Sequence, residues 1–262
     1  MGNPQDQIDR VSFGYEDVSR EEKVSRVKGV FRSVASRYDF MNDLMSAGIH
    51  RLWKADTMAR LNPQPGEHLI DVAGGTGDLS KAFLDRADKA AKRRGVSVAA
   101  TAAVCDINDA MLAAGRTRKE MAQYGDRLTW VCGDAEALPF PDNCADALTI
   151  AFGIRNVAGR ENALREFRRV LKPGGRLGIL EFSHMTAPLL QEAYDAYSFA
   201  VIPPLGGLIA GDRDSYQYLI ESIRRFPKQG AFTEEVEAAG FRNVRVTNFS
   251  GGIAALHTGW VI

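Results

Sequence analysis

The first clear pattern in the chain is an amphipathic helix near the amino terminus. Apolar residues recur there at a spacing of three or four, which is typical of one buried helix face: Val24, Val27, Val30, Phe31 and Val34. Ser19 and Glu22 form a capping box at the start of this helix. The polar segment before it, residues 1–18, shows no such pattern, and we expect it to be loose.

From about residue 66, short apolar runs alternate with helical segments. The runs typical of buried strands are residues 67–73, 96–106, 127–133, 145–153 and 176–183. Helical patterns follow the first run up to about Arg94, and others cover residues 110–123 and 161–171. This alternation predicts an α/β fold built on a doubly wound, mostly parallel sheet.

The carboxyl-terminal part of the chain departs from this alternation. Helical patterns at 187–199, 214–225 and 233–239 are followed by apolar strands at 243–250 and 254–262. Gly251 and Gly252 lie in the short link between the two strands. We therefore expect an antiparallel hairpin at the end of the sheet.

Composition narrows the class of protein. The chain has 262 residues, of which 45% are hydrophobic and 25% charged, as in globular proteins. Lys+Arg and Asp+Glu both number 33, so net charge gives no argument for a nucleic-acid partner. No window is apolar enough to span a membrane, no secretory signal is visible, and the cysteines lack metal-ligand spacing. We expect a cytoplasmic protein without a metal site.

The strongest chemical signal is the glycine loop in LIDVAGGTGDLS, residues 69–80. An apolar strand runs directly into Gly74, Gly75 and Gly77, and glycine lets the backbone approach a ligand closely. The dinucleotide fingerprint needs Gly or Ala where this chain has Ser80, and the P-loop Lys is missing. In open α/β sheets, ligands bind at the carboxyl ends of the strands.

Acidic residues accompany three successive strands. Asp71 lies in the first strand, Asp106 ends the second and Asp134 follows the third. A carboxylate at the end of the second strand is well placed to accept both ribose hydroxyls of a nucleoside. The three carboxylates tolerate a cationic sulfonium–adenosine ligand and would repel a pyrophosphate. The alternative for Asp71 and Asp134 is capping of a helix or turn.

This arrangement resembles the class I S-adenosylmethionine-dependent methyltransferases over roughly residues 66–183. The shared pattern is the glycine loop, the strand-2 acid, the acidic turn GDAEALP and the segment LKPGG at residues 171–175. The resemblance implies a Rossmann-like sheet of seven strands with an antiparallel last strand. It also implies S-adenosyl-L-methionine as the cofactor.

Longer segments are similar to the ubiquinone/menaquinone biosynthesis C-methyltransferases: residues 38–54, 152–157, 165–175 and 214–229. This resemblance implies methyl transfer to a ring carbon of a lipophilic polyprenyl benzoquinol, of demethylmenaquinol, or of both. We expect one domain over residues 1–262. It would comprise a helical lid at 19–62, a cofactor-binding core at 63–183, and substrate-side helices with the terminal hairpin at 184–262.

The resemblance also implies cofactor contacts beyond the glycine loop and Asp71. These contacts would come from Thr76, Asp106, Ile107, Asp134, Ala135 and Ala151. Family members often have Asn where this chain has Asp134, and Ser where it has Ala151. At position 151, only a backbone contact therefore remains.

Carbon methylation requires an activated acceptor. A ring carbon becomes a nucleophile when a neighbouring or para hydroxyl loses its proton, and a nearby cation favours that phenolate. Arg155 is a candidate for this cation, or for a residue that orients a water. Asn156 could donate a hydrogen bond to a ring oxygen, and His50 could act as a weak base. The alternatives are an ion pair between Arg155 and Glu181, helix capping by Asn156 and a packed His50.

The segment 36–54 carries apolar residues at helical spacing, and Gly48 is expected to break the helix. The family resemblance favours a lid over the strand ends, with the Tyr38 hydroxyl directed at the quinol. The alternative is a solvated acidic face above a packed apolar face.

Several partners and functions remain as hypotheses. Three roles are open for the apolar segment 198–211: it could line a tunnel for a prenyl tail, contact a membrane surface, or form a buried connection between helices. Contact with the inner face of the membrane or with a quinone-biosynthesis complex, and a homodimer, are left open. The competing functions are methylation of another small aromatic acceptor, an NAD-dependent oxidoreductase and a non-enzymatic nucleotide-binding scaffold. The missing third glycine and the antiparallel tail argue against the oxidoreductase.

Overall fold

The computed structural model describes residues 10–34, 46, 48–186 and 213–262. Several features of the sequence prediction lie outside the described residues: Tyr38, most of the segment 36–54, the predicted helix 187–199 and the apolar segment 198–211. The strands are β1 (Arg10–Phe13), β2 (Glu16–Ser19), β3 (His68–Val72), β4 (Thr101–Asp106), β5 (Leu128–Cys132), β6 (Ala145–Ala151), β7 (Leu171–Phe182), β8 (Arg242–Phe249) and β9 (Ala254–Trp260).

Helices cover both faces of the sheet. The α-helices are α1 (Arg20–Val34), α2 (His50–Leu61), α3 (Asp78–Arg94), α4 (Asp109–Arg116), α5 (Arg160–Val170), α6 (Arg213–Arg225) and α7 (Gln229–Ala238). Short 3-10 helices are Lys119–Arg127, Ile154–Asn156 and Ser250–Gly252. None of the helices in the described residues is both long and apolar enough to cross a bilayer.

The strands β3 to β9 form one seven-stranded sheet in the order β5-β4-β3-β6-β7-β9-β8. The strands from β5 across to β7 pair in parallel, whereas β9 is antiparallel to both of its neighbours. The prediction of a mostly parallel sheet with an antiparallel last strand is confirmed. The strand order reverses between β3 and β6, so the topological switch point lies between these two strands.

Alternation along β3 explains the two helical layers. Leu69 points to one face and packs in a cluster with α2 and α3. Ile70 and Val72 point to the other face and pack with α5 and α7. Because both faces of β3 are covered, its sequence is a nearly continuous apolar run, and the acidic Asp71 stands out in it.

The amino-terminal hairpin differs from the sequence prediction. Residues 10–18 are not loose, because β1 pairs with β2 through a turn at Gly14 and Tyr15. The Phe13 ring stacks on the Tyr218 ring of α6, with centroids 4.0 Å apart. An isolated two-stranded hairpin is marginal in water, so this packing against α6 supplies the stability that the local sequence lacks.

Helix and strand limits agree with the predictions in most places. Ser19 caps α1, since its Oγ accepts a hydrogen bond from the Glu22 amide at 3.1 Å. The predicted hairpin of β8 and β9 is confirmed. The predicted helix 110–123 is divided into α4 and the 3-10 helix Lys119–Arg127, and the predicted strand 96–106 begins only at Thr101.

Candidate active site

A cleft opens at the carboxyl ends of β3, β4 and β6, next to the switch point. Its empty volume is about 1100 Å³, including the solvent at its mouth. All the predicted cofactor-binding residues except Gly77 line it: Asp71, Gly74, Gly75, Thr76, Asp106, Ile107, Asp134, Ala135 and Ala151. Gly77 caps the start of α3 behind this loop, with φ at +84°.

Asp106 fastens the glycine loop to the second strand. Its Oδ2 accepts a hydrogen bond from the Gly75 amide at 2.9 Å, and its Oδ1 accepts one from the Asn108 amide at 2.8 Å. Burial raises the pKa of Asp106, although the two amides oppose this shift. Each carboxylate oxygen can accept a second hydrogen bond, so the side chain can hold the loop and a ligand hydroxyl together.

Asp71 lies on the floor of the cleft and also caps α3. Its Oδ2 accepts hydrogen bonds from the Ser80 amide and hydroxyl, and its Oδ1 accepts one from the Thr149 hydroxyl at 2.8 Å. Burial raises the pKa of Asp71 to about 6. Asp134 accepts a hydrogen bond from the Glu136 amide at 2.9 Å in a tight turn. The capping alternative therefore holds for both acids, although both also line the cleft.

The backbone is crowded where β3 and β6 end. A Cβ on Gly74 would lie 2.8 Å from the Asp71 carbonyl oxygen, and one on Gly153 would lie 2.6 Å from the Ala73 Cβ. Ala73 and Phe152 have φ of +48° and +56°, a region that residues other than glycine rarely adopt. Such strain persists only where surrounding packing enforces it, as at ligand sites.

A cationic cluster beside the glycine loop was missed in the sequence. Asp78 binds the Lys54 Nζ at 3.0 Å and the Arg118 Nη1 at 2.6 Å. Burial pushes the pKa of Asp78 upward, but the two cations outweigh burial and lower it. Arg118 also donates to the Thr76 hydroxyl at 2.9 Å. The cluster therefore ties α2 and the 3-10 helix Lys119–Arg127 to the glycine loop.

Helix α1 forms one wall of the cleft through Val24, Val27 and Lys28. The Lys23 ammonium donates to the Val157 carbonyl at 3.1 Å, and the Arg20 guanidinium pairs with Glu136. Burial lowers the pKa of Lys23 to about 8. These contacts attach α1 to the loops after β5 and β6. The lid at residues 19–62 stays a prediction, because residues 35–45 lie outside the described part of the chain.

Only one of the described catalytic candidates lines the cleft. Asn156 does so, and its Oδ1 accepts a hydrogen bond from the Tyr218 hydroxyl at 3.0 Å. His50 is buried, with its Nδ1 3.1 Å from the Ser46 Oγ, and it is not among the described lining residues. The packed alternative thus applies to His50. Tyr218 was not singled out in the sequence, although it lies in the segment 214–229.

Arg155 forms the ion pair that the sequence left as its alternative. Its Nη1 lies 2.6 Å from the Glu181 Oε1, and both side chains are 1% exposed. Nη1 also donates to the Phe152 carbonyl at 2.6 Å. Arg155 is not among the described residues of the cleft, because Glu181 and Phe152 hold the guanidinium behind the β6 loop. The structure therefore does not place Arg155 where it would contact an acceptor in the cleft.

Nearly the whole chain matches one protein family. The profile of the ubiE/COQ5 methyltransferase family matches residues 17–261. The chain belongs to this family. The match includes the cleft, helix α1 and the strands β8 and β9 at the end of the sheet.

Curated relatives are similar over nearly the full chain. A protein of Cereibacter sphaeroides is 56% identical over 250 residues, which is 95% of this chain and 96% of its own. One of Paracoccus denitrificans is 54% identical over 255 residues, 97% of this chain and 98% of its own. Both are named ubiquinone/menaquinone biosynthesis C-methyltransferase UbiE.

Solved structures support the fold. A SAM-dependent methyltransferase from Thermotoga maritima superposes with a TM-score of 0.59 at 16% identity, over 89% of this chain and 99% of its own. One from Aquifex aeolicus gives a TM-score of 0.54 at 15% identity, over 80% of this chain and 89% of its own. At these identities the likeness concerns the architecture alone.

Proposed function

We propose that the protein transfers the methyl group of S-adenosyl-L-methionine to a ring carbon of a polyprenyl quinol. The acceptor is a 2-methoxy-6-polyprenyl-1,4-benzoquinol, demethylmenaquinol, or both. The observation that carries this proposal is the 54–56% identity, over at least 95% of the chain, to relatives with that biosynthetic name. The cleft adds a physical reason, which does not depend on the relatives.

The residues of the cleft fit the cofactor. Gly74 and Gly75 leave room for a close backbone approach, and a Cβ on Gly74 would fill that space. Asp106 retains acceptor capacity for the ribose, and the other carboxylates suit a cation. When bound, S-adenosyl-L-methionine supplies an electrophilic methyl group on a positively charged sulfur. Thr76, held by Arg118, and Asp134 with Ala135 would complete the pocket.

The acceptor would bind between α1 and the loop after β6. Val24, Val27, Phe152 and Val157 give this part of the cleft apolar walls that suit an aromatic ring. We assign the charge that favours the phenolate to Lys28, which lines the cleft, in place of Arg155. Asn156 would donate a hydrogen bond to a ring oxygen.

The chain's own contribution to the reaction is then positioning and exclusion of water. The contacts of Arg20 and Lys23 hold α1 across the cleft. Alignment of donor and acceptor at about 3–3.5 Å supplies a large part of the rate enhancement in such two-substrate reactions. The valines of α1 and of the loop after β6 would also help to keep water from the activated methyl group.

Methyl transfer from labelled S-adenosyl-L-methionine tests the proposal. A short-chain 2-methoxy-6-prenyl-1,4-benzoquinol and demethylmenaquinol are supplied separately under reducing conditions, and cofactor binding is measured by calorimetry. We expect label on a ring carbon of at least one quinol. Asp106→Ala should weaken cofactor binding, whereas Asp126→Ala, which changes an exposed residue of the 3-10 helix Lys119–Arg127, should not. Cofactor binding without label in either quinol would overturn the acceptor, and absent binding would overturn the cofactor as well.

A further inference from the structure

The Asn156 side chain has a hydrogen-bond partner for its oxygen but, among the described residues, none for its NH₂. Asn156 is the last residue of the 3-10 helix Ile154–Asn156, in the loop after β6, and it lines the cleft. Its Oδ1 accepts the hydrogen bond from Tyr218, whereas its Nδ2 is buried and has no partner among the described residues. A buried donor without a partner is costly, so an unpaired NH₂ beside a cleft points to a ligand that would satisfy it.

Tyr218 is held firmly on the far side of this amide. It lies on α6, is 5% exposed, and stacks against Phe13 of the amino-terminal hairpin with an interplanar angle of 17°. The Arg26 guanidinium lies over the other partner of this stack, 5.3 Å from the Phe13 ring centroid. Burial raises the pKa of Tyr218, so the hydroxyl keeps its proton and can donate to Asn156 throughout the physiological range.

We propose that Tyr218 is a positioning residue for the methyl acceptor: it holds the Asn156 oxygen and thereby turns the amide NH₂ toward the acceptor's ring oxygen. This inference rests on the proposed function, because it takes a quinol as the occupant of the cleft. The NH₂ then donates to the oxygen on which phenolate charge develops, and a hydrogen bond to a charged oxygen is stronger than one to a neutral oxygen.

The arrangement also makes a prediction about acceptor choice. An amide whose oxygen is turned toward Tyr218 presents its NH₂, which is a donor only, to the ligand. The site therefore favours a ring substituent that accepts a hydrogen bond and rejects an analogue that lacks this oxygen, since the buried donor would remain unpaired. In this way the amino-terminal hairpin contributes to acceptor recognition through Phe13 and Tyr218, without touching the acceptor.

A double-mutant cycle tests whether Tyr218 acts through Asn156. Tyr218→Phe keeps the ring stack and removes only the hydroxyl. We expect it to lower kcat by about tenfold, Asn156→Ala to lower kcat by about 100-fold, and the double variant to resemble Asn156→Ala within about twofold. Cofactor affinity should stay within about twofold in all three. Independent, multiplicative losses in the double variant would overturn the inference, as would an unchanged kcat in Tyr218→Phe.

Asn156→Asp tests the direction of the amide. Aspartate has the same shape and still accepts the hydrogen bond from Tyr218, but it cannot donate to the acceptor. We expect it to be no more active than Asn156→Ala. Higher activity in Asn156→Asp would show that an oxygen faces the acceptor and would overturn the inference.

A matched control separates positioning from simple loss of a tyrosine hydroxyl. Tyr124 is 4% exposed, and its hydroxyl donates to Asp85 of α3 at 2.6 Å, in a hydrophobic cluster that contains no residue of α6. Tyr124→Phe should leave kcat and the acceptor KM unchanged. Thermal unfolding of each variant shows whether a lower rate reflects a misfolded fraction.

A second readout separates this inference from the proposed function. Binding of the oxidised, non-reacting benzoquinone is measured across the same cycle, because its ring oxygens also accept hydrogen bonds. If the wild type transfers no methyl group but the quinone Kd shows the Tyr218–Asn156 coupling, the proposed reaction fails and the positioning role stands. Turnover without coupling in either readout removes the positioning role alone. Absence of both turnover and quinone binding overturns both.

Discussion

The buried pair of Arg155 and Glu181 makes a strong prediction about stability. Both side chains are 1% exposed, and the Glu181 carboxylate also accepts hydrogen bonds from the backbone amides of Arg155 and Phe182. Arg155→Met removes the guanidinium and leaves a buried carboxylate without its counter-charge. Breaking one side of such a pair costs about 3–5 kcal/mol in unfolding free energy.

The stability that Arg155→Met loses should increase as the pH rises. Burial raises the pKa of Glu181, and Arg155 is the main group that opposes this shift. In Arg155→Met the folded pKa therefore rises further above the unfolded value. A raised folded pKa gives stability that is present at low pH and lost as the pH rises through it. We expect the variant to lose more stability at pH 8 than at pH 5.

Urea unfolding followed by circular dichroism at these two pH values measures the effect. Arg165→Met provides the matched control, because Arg165 pairs with Glu161 at the surface, where the side chains are 57% and 81% exposed. It should cost no more than about 1 kcal/mol. A loss below about 1 kcal/mol in Arg155→Met, equal at both pH values, would refute the reasoning.

The double variant Arg155→Met with Glu181→Leu separates stability from chemistry. Replacing both charges with apolar groups of similar volume should restore much of the stability that the single variant loses. If this folded variant retains turnover, the predicted catalytic role of Arg155 is wrong. If it folds and is inactive, the guanidinium contributes to the reaction through the β6 loop or through water.

Three further predictions follow from the same contacts. Burial raises the pKa of Asp71 from its ordinary value of 3.8 to about 6 in the folded protein. When the pH falls from 7.5 to 5, the unfolding free energy of the wild type should therefore rise by about 1 kcal/mol relative to that of Asp71→Asn, as measured by urea unfolding. Gly115→Ala would place a Cβ 2.4 Å from the Trp130 indole ring of β5, so it should lower the unfolding free energy by about 1–3 kcal/mol and weaken cofactor binding. The control Gly230→Ala has open space around it and should leave the thermal stability unchanged. Phe13→Ala should lower kcat less than Tyr218→Phe does and leave cofactor affinity unchanged; a larger loss than that of Tyr218→Phe would mean that the hairpin has another role.

The glycine loop and the strand-end acids could be predicted from the sequence because their signals are local. The glycine cluster directly follows the first apolar run, and Asp106 and Asp134 each lie at the end of their own apolar run. In a parallel sheet, the carboxyl ends of the strands meet at one edge, so their local order already implies a shared cleft. The structure accordingly brings Asp71, Asp106 and Asp134 to that cleft.

The orientations of Arg155 and His50 could not be predicted in the same way. Arg155 lies in the loop after β6, and its position in sequence is compatible with facing either the cleft or the neighbouring strand. The choice depends on Glu181, which lies on β7 and becomes a neighbour only when β6 and β7 pair. His50, the first residue of α2, is held by Ser46, four residues earlier in the chain.

What the sequence determined by itself was the fold class, the glycine loop, the acids at the strand ends and the family resemblance. These depend on periodicity and on motifs that are continuous in the chain. The tertiary structure alone decided the Lys54–Asp78 contact and the stack of Phe13 on Tyr218. Such contacts join segments that are distant in sequence, and each depends on how one helix packs against the rest of the protein. No local pattern encodes that packing, because many different residues could occupy the same helix face at nearly equal cost.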